Sequence, residues 1–113
     1  MRGAETRAEI VGAADRLFYQ GGFAHTSFAD IAAAVQIARG NFYYHFKSKD
    51  EILEAVIARR VERTTALLAQ WDEANPTPRS RLSAFVRLLA VNGDKIMAYG
   101  CPVGSLATEL SKL

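Results

Sequence analysis

The stretch Gln36–Lys49, QIARGNFYYHFKSK, decides how this chain is read. It holds Arg39, His45, Lys47 and Lys49 and no Asp or Glu, whereas the whole chain is nearly balanced, with 14 Lys+Arg against 12 Asp+Glu. The positive charge is therefore local. Phe42, Tyr43, Tyr44 and Phe46 are interleaved with it. On a short helix Phe42 and Phe46, one turn apart, share a face and can be buried together. Arg39, Asn41, Tyr43, Tyr44 and His45 then lie nearer the opposite face. Cationic and hydrogen-bonding groups on a small exposed helix suit duplex DNA, because phosphates take the first and base edges the second.

Upstream of this stretch the pattern is helical. Thr26 or Ser27 caps a short helix, and Ser27 with Asp30 makes the better capping box. Phe28, Ile31, Ala32 and Val35 form its buried stripe, and small alanines allow a neighbour to approach. A break near Gln36 separates it from a basic-aromatic helix running from about Ala38 to Tyr44. Two short helices across a tight turn are the layout of a helix-turn-helix. Further back, Thr6 and Glu9 read as a capping box opening a first helix. Ile10, Ala13, Ala14, Leu17 and Phe18 give it an apolar face, and Gln20-Gly21-Gly22 stops it.

Downstream, Ser48 and Glu51 predict a cap that opens a long helix with Ile52, Leu53, Val56, Ile57, Val61, Leu68 and Trp71 on its apolar stripe. Running to about Ala74, it would be roughly 39 Å long. Asn75-Pro76-Thr77-Pro78 ends it, with Thr77 as the next cap and Pro78 at the first helical position. Leu82, Phe85, Val86, Leu88, Leu89 and Val91 predict a strongly apolar helix. Asn92-Gly93 kinks or ends that helix. Gly100-Cys101-Pro102 breaks the chain once more before a last helix over Val103 to Leu113. The fold class expected is all-α.

Composition excludes several classes. No run of about 18 apolar residues is present, so no membrane span is expected. The N-terminus carries charges and lacks the apolar core of a secretory signal. Cys101 is the only cysteine, so no internal disulfide forms within the chain, and a cytoplasmic location is expected. No metal site is expected from His25 and His45, and no cofactor. No nucleophile–base constellation or phosphate-cradling loop points to an enzyme.

Taken together and in order, five segments resemble the TetR family of transcriptional repressors. They are Ala13-Ala14-Asp15-Arg16-Leu17-Phe18, Gly22-Phe23, Thr26 through Ala32, Gly40 through Phe46, and Lys47 through Glu51. Gly100 through Leu106 looks like a run found in one branch of that family. The resemblance implies a DNA-binding domain at 1–48, then at 49–113 a connector helix and part of an effector-binding and dimerisation domain. It implies double-stranded DNA, a small-molecule effector and a homodimer as partners. Family members are usually about twice this length, so the helices that build most of the dimer interface are expected beyond Leu113. Two positions depart from the pattern. Gln36 stands where the family usually has glycine, and Ala38 where it usually has a Ser or Thr cap.

Residue roles follow. Arg39 is the candidate for base readout through guanine O6 and N7, the alternative being a solvated surface arginine. Gly40 allows close approach. Asn41 suits an adenine or a phosphate. Tyr43 and His45 match the family's phosphate clamps, with Tyr44 beside them. Lys49 at a helix start, and Thr26 and Ser27 at another, suit phosphate as well. Trp71, Phe85, Leu89, Met97, Tyr99 and Cys101 are candidates for an effector pocket, each with ordinary core as its alternative. A helix-start thiol at Cys101 also opens a redox-responsive regulator, against the reading of a small buried hydrophobe. A helical protein-interaction module on the same scaffold is the competing function, supported by Gln36 and Ala38.

Overall fold

The computed structural model describes residues 2–113. Seven α-helices and no strand are found among them: α1 (Arg2–Gly21), α2 (Phe28–Val35), α3 (Arg39–His45), α4 (Lys49–Ala74), α5 (Pro78–Val91), α6 (Gly93–Tyr99) and α7 (Pro102–Ser111). The protein is all-α.

Helix α1 begins earlier than its sequence suggests. Thr6 and Glu9 sit inside it rather than at its start. Ala4 and Glu5 are strong helix formers and carry the helix upstream past the expected cap. Its end is as expected: Gly22 takes φ 88°, and its amide closes on the Phe18 carbonyl at 3.0 Å.

Helix α2 opens on the full Ser27–Asp30 box and closes on Gln36 at φ 51°, ψ 40°. That left-handed residue turns the chain sharply into α3. Helix α3 starts at Ala38 with no side-chain cap. Its order comes from packing instead. Phe42 is 1 % exposed and meets Phe28 edge-on at 4.9 Å, and Phe46 just beyond the helix is 2 % exposed.

One core holds these helices. Ile10, Ala14 and Phe18 from α1 meet Ile31 and Val35 from α2, Phe42 from α3, and Ile52 and Val56 from α4. Leu106 of α7 joins the same core. The expected boundary after residue 48 falls in the loop before α4, and the core runs across it.

Helix α4 spans 26 residues, as its cap and terminator predict. Ser48 Oγ accepts from the Glu51 amide at 3.2 Å. Glu51 does not return the bond to Ser48; its carboxylate accepts from the Lys47 amide at 2.7 Å. The predicted apolar stripe is only partly covered. Ile52 and Val56 are buried, but Ile57, Val61 and Leu68 are exposed. Arg59 and Arg60 still tie α4 to Ala8 and Asp15 of α1, and beyond them α5 and α7 flank it only in part.

Thr77 caps α5 with a box to Ser80 and Pro78 leads it, yet none of its residues is buried. Asn92 closes α5, its amide and side chain both bonding the Leu88 carbonyl. Gly100 at φ 81° then turns the chain into α7. The molecule is elongated, 51 × 34 × 23 Å, with a radius of gyration of 16.3 Å. A compact chain of about 100 residues would give about 13 Å.

Candidate nucleic-acid interface

Burying Phe42 and Phe46 fixes the rotation of α3. Arg39, Gly40, Asn41, Tyr43 and Tyr44 are exposed as a result, and His45 is half-buried. Tyr44 keeps 77 % of its surface in solvent. The Tyr43 ring lies 5.5 Å from that of Phe28, so one side of it is anchored while 40 % of the residue stays exposed. The Arg39 guanidinium stands 5.8 Å over the same ring, a cation–π contact that holds the arginine upright on the helix. A Cβ at Gly40 would meet nothing within 4 Å, so the space in front of it is open. Lys47 donates through Nζ to the Tyr43 carbonyl, placing a cation at the negative end of α3.

The start of α2 flanks this surface. Ser27 is exposed, and its Oγ accepts from the Asp30 amide at 3.0 Å while Asp30 Oδ2 accepts from the Ser27 amide at 2.9 Å. The Ser27 backbone amide, and then its side chain, hold the Asp30 carboxyl below the ordinary range, with desolvation opposing weakly. Thr26 departs from its expected surface role. It is 5 % exposed, and its hydroxyl donates to the Gly22 carbonyl at 2.8 Å. It ties down the loop before α2 from the inside. Lys49, in the first turn of α4, lies with Nζ 3.9 Å over the Phe23 ring of that loop.

Sequence reasoning missed Arg7. Its guanidinium sits 5.1 Å over Phe46, and it shares a hollow with His45, Glu51 and Glu54. No local signal marked it, since 39 residues separate Arg7 from Phe46.

The six residues read as an effector pocket do not converge. Trp71 and Phe85 do meet, with ring centroids 6.3 Å apart, beside a cleft of about 340 Å³ between α4 and α5. Leu89 is half-exposed and Met97 is 88 % exposed. Tyr99 packs against Tyr19 of α1, the ring centroids 5.4 Å apart and the planes tilted by 60°. Cys101 is exposed rather than buried, and its Sγ caps α7 by accepting from the Gly104 amide at 3.4 Å. A second cleft, about 350 Å³, runs between α4 and α7 and is lined by Ile57, Val61, Leu106, Ala107 and Leu110 with Arg60, Thr64 and Thr65. No group of three potential metal ligands occurs among the described residues. No helix of the described residues is long and apolar enough to cross a membrane.

A short helix anchored by aromatics and set across a tight turn from a capped partner defines a helix-turn-helix protein. Comparison with known proteins gives the family. Residues 10–56 match the family described as bacterial regulatory proteins, tetR family. An HTH-type transcriptional regulator in the lacX 3' region of Lactococcus lactis subsp. lactis is 34 % identical over 110 residues, covering 96 % of this chain and 56 % of that protein. The HTH-type transcriptional regulator TtgR of Pseudomonas putida is 47 % identical over 53 residues, 47 % of this chain and 25 % of that protein. The HTH-type transcriptional repressor DhaR of a Mycobacterium species is 27 % identical over 111 residues, 95 % of this chain and 53 % of that protein. The chain belongs to the tetR family of bacterial regulatory proteins. It spans about half the length of the relatives that match it from end to end.

Proposed function

We propose that this chain is the DNA-reading part of a ligand-responsive transcriptional regulator. The observation that carries the reading is the exposed face of α3, where Arg39, Gly40, Asn41, Tyr43 and Tyr44 surround no carboxylate while Phe42 and Phe46 lock the helix from behind. Arg39 reads a base, and Asn41 a base or a phosphate. Tyr43, Tyr44, His45, Ser27 and Lys49 take phosphates. Thr26 serves indirectly, by fixing the loop that presents Ser27. Residues 1–48 form the reading unit, and 49–113 the connector and the start of an effector and dimerisation region. Two copies would set α3 into successive major grooves about 34–36 Å apart, on a rough palindrome.

An effector site is supported by the α4–α5 and α4–α7 clefts, whose volumes reach the lower end of ligand pockets, about 300–1,000 Å³. Both are mainly apolar with few polar groups. The Trp71 indole N–H beside the first is buried without a hydrogen-bond acceptor, a ready donor for a ligand. An effector that favours one spacing of the two reading heads shifts the population away from the DNA-bound one.

Selection from a random duplex pool, with parent and Arg39→Ala side by side, tests the reading. Enrichment of a half-site that Arg39→Ala blurs at one position is expected. A folded chain that enriches nothing, alone or joined as a forced dimer, would overturn it in favour of a protein-interaction module.

A further inference from the structure

Glu109 lies on α7, 60 residues past Lys49, yet it touches the loop that leads into α2. Its Oε1 accepts from the Phe23 amide at 2.8 Å and its Oε2 from the Ala24 amide at 2.9 Å. One carboxylate thus grips two consecutive backbone donors, a geometry in which the charged acceptor strengthens both bonds. Leu106, one turn earlier on α7, is buried in the core and sets the rotation that aims Glu109 at the loop.

What the grip holds is the approach to the candidate interface. Phe23 packs on Phe18 at 5.1 Å and carries Lys49 above its ring. The Thr26 amide closes on the Phe23 carbonyl at 3.2 Å, and Ser27 follows as the cap of α2. Ser27 and Lys49 therefore both hang from the segment that Glu109 fixes. The Ala24 amide is exposed, so water would satisfy it if the carboxylate were lost. The Phe23 amide belongs to a buried residue, so the contact satisfies that donor as well as fixing the loop. Its main consequence is where the loop stands. The Ala24 amide, then the Phe23 amide, hold the Glu109 carboxyl below its ordinary range, with smaller help from the charges of His25 and Lys49 and against a desolvation cost.

We propose that Glu109 is a positioning residue for DNA binding, holding the α1–α2 loop so that Ser27 and Lys49 meet the phosphate backbone together. The assignment rests on the DNA-binding reading above. It predicts that a residue on the last helix sets the phosphate contacts of the reading head.

The test compares parent, E109A and E109Q for binding to the selected duplex across a salt series, with unfolding midpoints measured alongside. E109A is expected to weaken binding on the order of tenfold and to flatten the slope of log K against log salt by about one phosphate contact. E109Q keeps one acceptor oxygen and should fall between the two. A variant that only unfolds more readily lowers the active fraction and leaves the salt slope unchanged. Affinity and slope equal to the parent's, or a loss explained wholly by the unfolded fraction with the parent's slope retained, would overturn the assignment. A parent that binds no duplex fails before the variants are compared, and overturns the DNA-binding reading and this assignment together.

Discussion

Arg39 and Phe42 stand three residues apart on α3 and do opposite work. Phe42→Ala empties the centre of the core and should cost about 3–5 kcal/mol, read as a lower unfolding midpoint. Arg39→Ala should leave that midpoint within experimental scatter and remove about 1–3 kcal/mol of preference at one base position. Tyr43→Ala should weaken binding to every sequence. Because Arg39 leans on the Tyr43 ring, it should also blur the position Arg39 reads, and the double variant should lose less than the sum. Glu109 gives a pH signature with a definite sign. Its folded-state pKa is lowered, so its contribution is fully present above the ordinary value of 4.5 and is lost as pH falls through the lowered one. The stability gap between parent and E109Q should therefore close in acid, below pH 4.5. At this scale the sequence spoke clearly where partners are local. The one-turn spacing of Phe42 and Phe46 and the Ser27–Asp30 box both read directly. Thr26 was misplaced because its partner, the Gly22 carbonyl, becomes a neighbour only when Gly22 turns. Glu109 was silent, since 85 residues separate it from Ala24.

At the scale of the element, α2 and α3 are joined by a strained residue and an uncapped start. Gln36 is the one non-glycine residue at positive φ among those described. An L-residue there costs roughly 1–2 kcal/mol, and glycine gives back about 0.5–1 kcal/mol of that in chain entropy, so Gln36→Gly should gain about 0.5–1 kcal/mol. Ala38→Ser supplies a missing acceptor for the first turn of α3 and should add about 1 kcal/mol. Urea titration of each variant reads both gains as a raised midpoint at constant slope. Apart from α6, where Asn92-Gly93 read as either a kink or an end of α5, caps and breakers in the sequence located all but one of the helix starts to within a residue or so. α1 was the exception, because a plausible cap at Thr6 lies within a run that good helix formers extend. The partner of Glu51 also shifted by one residue, to Lys47, which a spacing rule alone does not distinguish.

Across the whole molecule, the core is gathered at one end. Leu82, Val86, Val91 and Met97 lie exposed on α5, its margin and α6, at 65, 58, 83 and 88 %. Apolar side chains exposed on neighbouring helices favour association with another surface. Sedimentation of this chain should show mass rising with concentration, and Val86→Glu should suppress the rise while leaving the helix-turn-helix core intact. The scattered effector candidates have the same origin. Apolar periodicity names faces, but which faces meet depends on long-range pairing, so Trp71 and Phe85 meet while Met97 and Tyr99 lie elsewhere. The exposed thiol of Cys101 has a practical consequence. It is the only one in the chain, and it stands at the joint between α6 and α7, beside the bond of the Tyr19 hydroxyl to the Gly100 carbonyl. A maleimide dye or nitroxide will therefore attach at a single native position, and its signal will follow the seating of α7 as duplex is added, without an engineered handle.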